Sequence, residues 1–146
     1  MDKREAILAR LLTIATAVPG ITTAARNALN LSQIKLPSIV IFDGDEEAQA
    51  APSATRSASA PVLVSMSPEI VIAVADTKAQ VGTVLNGFRS ALVKAILTDA
   101  TLAGLVAANG GISYLGCSSG LARSSDMAGE LGVNMTFLYV LTPSQL

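Results

Sequence analysis

Histidine is absent from the 146 residues, tryptophan is absent as well, cysteine occurs once and aromatic residues make up only 3%. Without histidine there is no Ser-His-Asp triad, no Cys-His dyad and no Cys/His zinc site. A single thiol, Cys117, excludes an intrachain disulfide; it fits a reducing compartment and leaves a bond between chains open. Charge is scarce too, at 14% of residues, and ten Lys and Arg against eleven Asp and Glu leave a net charge of -1. The cation excess of a dedicated nucleic-acid binder is therefore missing, although passing contact with DNA stays open. Long uninterrupted apolar runs are also missing. The stretch after Met1-Asp2-Lys3-Arg4-Glu5 is broken by Arg10, Thr13 and Thr16 and stopped by Pro19-Gly20, unlike a signal peptide or a membrane span. These features lead to the expectation of a protein assembled in the cytoplasm, without membrane contact.

What the chain does have is apolar residues, 51% of the total, with a mean hydropathy of +0.53. Its length suits one domain, residues 1–146, with a real core. So little charge to cover the surface implies that some apolar surface meets other chains.

Local patterns give an order of elements. Asp2 followed by Glu5 is a capping-box-like start, and Ile7, Leu8, Leu11, Ile14, Ala15 and Val18 fall on one face of a helix over about 3–18. Ile21 to Arg26 reads as a short strand, with a helix as the alternative because of its Ala pair. Leu36 to Phe42 is a β-branched strand ended by turn residues Asp43-Gly44-Asp45. Residues 48–60, AQAAPSATRSASA, have no large apolar anchor and read as a flexible loop. Val62 to Val74 reads as a long strand that bends or bulges at Pro68.

Asp76 or Thr77 then caps a long helix of about 20 residues running to Leu97. Asp99 caps a short one through Ala108, which Asn109-Gly110-Gly111 ends. Residues 112–123 and 132–141 form a wide hairpin with Val133, Met135, Phe137 and Tyr139 on one face. The expected class is α+β: a mostly antiparallel sheet with a long helix and shorter helices on one face.

The densest charge cluster is Asp43-Gly44-Asp45-Glu46-Glu47. Oxygen ligands at this spacing can in principle hold a hard cation such as Mg²⁺ or Ca²⁺, but the continuation lacks the alternating ligands of an EF-hand. The bland reading is a solvated acidic turn. A third reading is electrostatic: repeated around a ring, the turn repels a polyanion. Neither Asn109-Gly110-Gly111 nor Gly116-Cys117-Ser118-Ser119-Gly120 has the pattern of a phosphate loop. The first reads as a C-cap and turn, the second as a strand with a bulge or close backbone approach, and Cys117 as a buried or half-buried small hydrophobe. Arg56 is the sole charge of the 48–60 loop, which is either a solubilising linker or a segment that orders on a neighbour. Arg26, Arg89 and Arg123 are too scattered for a nucleic-acid patch and are open to ion pairs between subunits.

The order of segments, with Glu5-Ala6-Ile7-Leu8, Pro37 to Glu46, Met66-Ser67-Pro68-Glu69-Ile70 and Tyr114-Leu115-Gly116-Cys117, resembles the tail terminator proteins of long-tailed bacteriophages and prophages. The resemblance implies an α/β protomer in a hexameric ring that sits on the end of the tail tube in the virion, halts tube polymerisation and presents a surface to head-completion proteins. The implied partners are other copies of the chain, the tail tube protein, a head-completion or neck protein and, in a contractile tail, the sheath protein; DNA only passes through the lumen. It implies no cofactor, no catalytic residue and no enzymatic activity. On this reading Asp43, Asp45, Glu46, Glu47 and Arg56 are candidate lumen or partner-contact residues, and the hairpin 112–141 serves ring packing. The competing functions are another neck or head-tail joining protein, or a small divalent-cation-dependent enzyme or binding module built on residues 43–47.

Overall fold

The computed structural model describes residues 2–28, 30, 33–49, 60–77, 79–121 and 128–146. Its described elements run α1 (Lys3–Ala17), β1 (Thr23–Arg26), β2 (Ser38–Ala48), β3 (Val62–Ala75), α2 (Val81–Leu97), α3 (Ala100–Leu105), β4 (Ile112–Leu121) and β5 (Ala128–Leu141), then a 3-10 turn at Pro143–Gln145. The class is α+β, with a single five-stranded sheet in the order β1-β2-β3-β5-β4.

The sheet is mixed, which corrects the expectation of a mostly antiparallel one. Strand β1 pairs parallel to β2, from Thr23 opposite Ser38 to Arg26 opposite Ile41. The remaining pairings, β2 with β3, β3 with β5 and β4 with β5, are antiparallel. The parallel pair arises because residues 27–37 bring the chain back to the end from which β1 started. The single long helix is corrected as well, since α2 has 17 residues and α1 has 15. Helix α2 starts late because the Thr77 carbonyl accepts bonds from the amides of Gln80 and Val81, at 3.0 and 2.9 Å, and so builds a turn where a cap was expected.

Helices α1 and α3 start for a reason visible in their own residues. Asp2 caps α1 by accepting from the Arg4 amide at 3.1 Å, and the stripe Ile7, Leu8, Leu11, Ile14 and Ala15 is buried. Glu5 does not complete a capping box, because its carboxylate is bound to Arg26. Asp99 caps α3 by accepting from the Leu102 amide at 2.8 Å. Helix α3 ends at Leu105, so Asn109 and Gly110, both at positive φ, form the turn into β4 and are not the helix's C-cap.

Strand alternation then separates two faces. Ile39 and Ile41 of β2, Val64, Met66, Ile70, Ile72 and Val74 of β3, and Leu131 through Tyr139 at every second position of β5 join the helix stripes in one buried cluster. Helix α2 lies over β3 and β5, and α1 over β1 and β2, so the helices share one side of the sheet.

Candidate functional site

The acidic segment 43–47 is not a loop tip. It lies within β2, which was expected to end at Phe42 and in fact runs on to Ala48. The pairing with β3 slips between Phe42 and Asp45, where β2 inserts a bulge opposite Pro68. Proline has no amide hydrogen to offer the ladder, and Gly44, at φ 68°, absorbs the resulting kink. Turn residues thus produce a bulge in a continuing strand.

That bulge scatters the carboxylates. Asp43 turns toward α1, where the Arg26 guanidinium donates to both of its oxygens, at 2.6 and 2.8 Å, and to both oxygens of Glu5, at 2.7 and 3.0 Å. The Asp43 amide donates to the Asn27 side chain at 3.1 Å, and Arg4 donates to the Gly44 carbonyl at 2.8 Å. The Arg26 hydrogen bonds hold both carboxyls below their usual range and raise the pKa of Arg26 itself. This fork clamps the start of α1 to the sheet edge and sets the Arg26 cation against both Asp43 oxygens, where a metal ion would have to displace it.

Alternation divides the other acids. Glu46 pairs with Met66 on the helix side and accepts a hydrogen bond from the buried Tyr139 hydroxyl. Asp45 and Glu47 pair with Ser67 and Ser65 on the opposite side, and both are exposed. Among the described residues no three His, Cys, Asp or Glu side chains converge on a point that would suit a metal ion. Arg56 and most of the 48–60 loop lie outside the described residues, as does Arg123.

The sheet side away from the helices carries no described helix. At the β2 end it is closed, with Ser38 and Val40 each 2% exposed. Across β3 and β5 no described segment covers it: Leu63 is 39% exposed and Val140 36%, while Phe42, Val71 and Leu138 are half-buried around them. The charged side chains that the described strands place on this face are Asp45, Glu47, Glu69 and Glu130, all carboxylates and all exposed. The strand-borne cation, Arg26, is on the other side, and Lys3, Arg4, Arg10, Arg89 and Lys94 belong to the helices. Within the described strands charge is therefore sorted by face, a pattern hidden in a sequence whose net charge is -1.

On the helix side, Arg10 forms a two-pronged bond to Asp99, at 2.6 and 3.0 Å, which raises the pKa of Arg10 and lowers that of Asp99. The pair borders a shallow groove of about 250 Å³ floored by Ile14, Val18, Ala91 and Ala95. Its polar groups are already mutually satisfied. Arg89 points its guanidinium at the Tyr114 hydroxyl, 3.4 Å away, with its Nε buried and unbonded. Cys117 is exposed, contrary to the expectation of a buried or half-buried side chain. It faces the helix side opposite Val133, but α2 packs on β3 and β5, meets β4 at Tyr114 and leaves Cys117 in solvent. Gly116, at φ 132°, marks the bulge expected in β4.

Sequence reasoning missed Arg26 as the organiser of segment 43–47. It donates within its own chain, and separations of 21 and 17 residues from Glu5 and Asp43 leave no local signal. Among the described residues no helix is long and apolar enough to cross a membrane. Compared with known proteins, the chain matches no family model and no curated protein sequence.

Proposed function

We propose that this chain is a structural assembly protein, a tail terminator that closes into a ring, hexameric by resemblance, on the end of a phage tail tube. Capping is its mechanism: it occupies the growing end with a surface that no further tube subunit can join. Its partners are copies of itself, the tube protein, a head-completion or neck protein and, in a contractile tail, the sheath protein, and its place is the neck of the virion.

The open sheet face is the observation that carries this reading. A face with partly exposed Phe42, Leu63, Val71, Leu138 and Val140 suits contact or enclosure better than isolation in water. Its charges, Asp45, Glu47, Glu69 and Glu130, are of the one sign that keeps a passing polyanion from adhering. Another neck or joining protein would use such a face similarly, and the tube-capping assay separates the two. The cation-dependent enzyme draws no support from the geometry, because Arg26 occupies Asp43 while Glu46 and the pair Asp45 and Glu47 point to opposite sides.

Native mass spectrometry and negative-stain imaging of the purified chain, with and without tail tubes, test the proposal. Rings alone or at tube ends, together with tubes that stop elongating, are expected. A chain that stays monomeric in both conditions overturns it.

A further inference from the structure

The sheet ends in two free edges, and they differ. Among the described residues no strand pairs with the outer side of β1 or of β4. Natural edges are usually guarded by charge, proline or covering segments. Strand β4, with sequence ISYLGCSSGL, contains no charged residue and no proline. Its bulge falls between Tyr114 and Gly116, leaving Cys117–Leu121 as a regular stretch of five residues beyond it. Strand β1 is four residues, TAAR, and its one charge is consumed by Glu5 and Asp43. Neither edge would bring an unpaired charge into a pairing, and the five residues of Cys117–Leu121 are enough to span the four of β1.

Strand directions decide how such edges can meet. Strand β1 runs with β2, β3 runs against them, β5 runs with β2 and β4 runs against it. The two edges of one chain are thus antiparallel to each other. Copies related by rotation about an axis roughly along the strands keep each strand's direction, so β4 of one copy meets β1 of the next antiparallel, with all helices on the same side. This contact joins two different surfaces and can close a ring.

We propose that β4, through Cys117–Leu121, pairs antiparallel with β1 of a second copy and carries the sheet from one protomer into the next. The pairing rests on the assembly reading above and specifies its interface. It explains why a long uncharged edge stays open, and it keeps the carboxylate-bearing faces of successive copies on a common side.

The exposed thiol supplies the test. Ala24 and Cys117 both lie on the helix side of their strands, opposite Ile39 and Val133. Within one chain they occupy opposite edges, four strand spacings or about 19 Å apart, too far for a disulfide. Under mild oxidation, Ala24→Cys with native Cys117 is expected to give a ladder of covalent oligomers on a non-reducing gel. The variant combining Ala24→Cys, Ser119→Cys and Cys117→Ser examines the neighbouring register, since Ser119 shares that side opposite Leu131. A ladder from either variant, absent in Ala24→Cys with Cys117→Ser, supports the pairing. Oligomers on native mass spectrometry with no ladder from either variant overturn this interface and leave the assembly reading standing. A wild-type chain that crosslinks only to a dimer through Cys117 also overturns it, and a strict monomer removes both.

Discussion

Gly44 and the Ser67 carbonyl are in direct backbone contact: a Cβ placed on Gly44 would sit 2.1 Å from the Ser67 oxygen. Gly44 also holds φ 68°, in the left-handed region that side chains disfavour. Two independent reasons therefore require glycine at the bulge that faces Pro68. Gly44→Ala is expected to destabilise the fold by at least ~2 kcal/mol, combining the left-handed penalty with displacement of the β3 backbone. Urea titration would show a lower midpoint with an unchanged slope. A midpoint equal to wild type would mean that the bulge relaxes freely.

The Arg26 fork sets a pH dependence whose sign follows from its carboxylates. Arg26 lowers the pKa of both Glu5 and Asp43, whose ordinary values are 4.5 and 3.8, and Arg10 does the same for Asp99. A depressed carboxylate pKa contributes stability that is fully present above the unfolded value and lost as pH falls through the folded value. The melting temperature should therefore hold from neutrality to about pH 5 and decline below about pH 4. In Arg26→Gln and Arg10→Gln combined, the acid decline should be shallower. An equally steep decline in that variant would assign acid sensitivity to other groups.

Arg26→Ala at neutral pH tests the same fork as a structural clamp. Arg26 and its partners Asp43 and Glu5 are partly exposed, with side chains at 24%, 28% and 52%, so solvent weakens each pair. Two-pronged geometry on both carboxylates works in the opposite direction. The expected loss is about 1 kcal/mol, with hydrogen exchange accelerating in α1 and β1 and little changed in β5. Uniform acceleration across the sheet would argue against a local clamp.

The difference between what could and could not be read from residues follows from the range of the interaction. The stripes of α1 and the alternation Val133, Met135, Phe137 and Tyr139 are local periodicities, and the core uses those side chains. Asp99 caps α3 because its reach is three residues. Asp43-Gly44-Asp45 misled because a glycine at positive φ serves a turn and a bulge equally well; only Pro68, across the sheet, decides between them. The parallel placement of β1 likewise depends on where residues 27–37 carry the chain. Cys117 alternates correctly with the core but lies three residues beyond Tyr114, where Arg89 of α2 meets this strand, and local pattern contains no record of where a helix ends in space. Charge sorting between the faces needs strand register, so four carboxylates read as one acidic segment and two stray residues.

Glu46 and Tyr139 provide a polar contact at the border of an apolar core. Tyr139 is fully buried, and its hydroxyl donates to Glu46. Tyr139→Phe keeps the ring's packing and removes the donor, so it should cost about 1 kcal/mol, whereas Phe137→Ala empties a core site and should cost about 3–5 kcal/mol. Chemical denaturation of both variants ranks them. A Tyr139→Phe penalty as large as that of Phe137→Ala would mean that the hydroxyl organises more of the β2–β5 contact than one hydrogen bond.

The sorted charge makes the proposed ring testable by reversing only one face. Glu69 and Glu130 are exposed on β3 and β5, and neither is in an ion pair among the described residues, so Glu69→Lys with Glu130→Lys should change stability by no more than about 0.5 kcal/mol. If the open face lines the passage, the double variant should retain double-stranded DNA at low salt, release it as salt rises and leave the wild-type ring inert under the same conditions. Any protein made more cationic binds DNA to some degree, so the control must match the added charge. Thr83→Lys, Asn86→Lys, Ser90→Lys and Thr101→Lys together add the same charge to exposed positions of the helix layer. Greater retention by the sheet-face variant locates the polyanion on the open face. Equal retention by both would show that net charge alone governs the contact and would remove the electrostatic role assigned to Asp45, Glu47, Glu69 and Glu130.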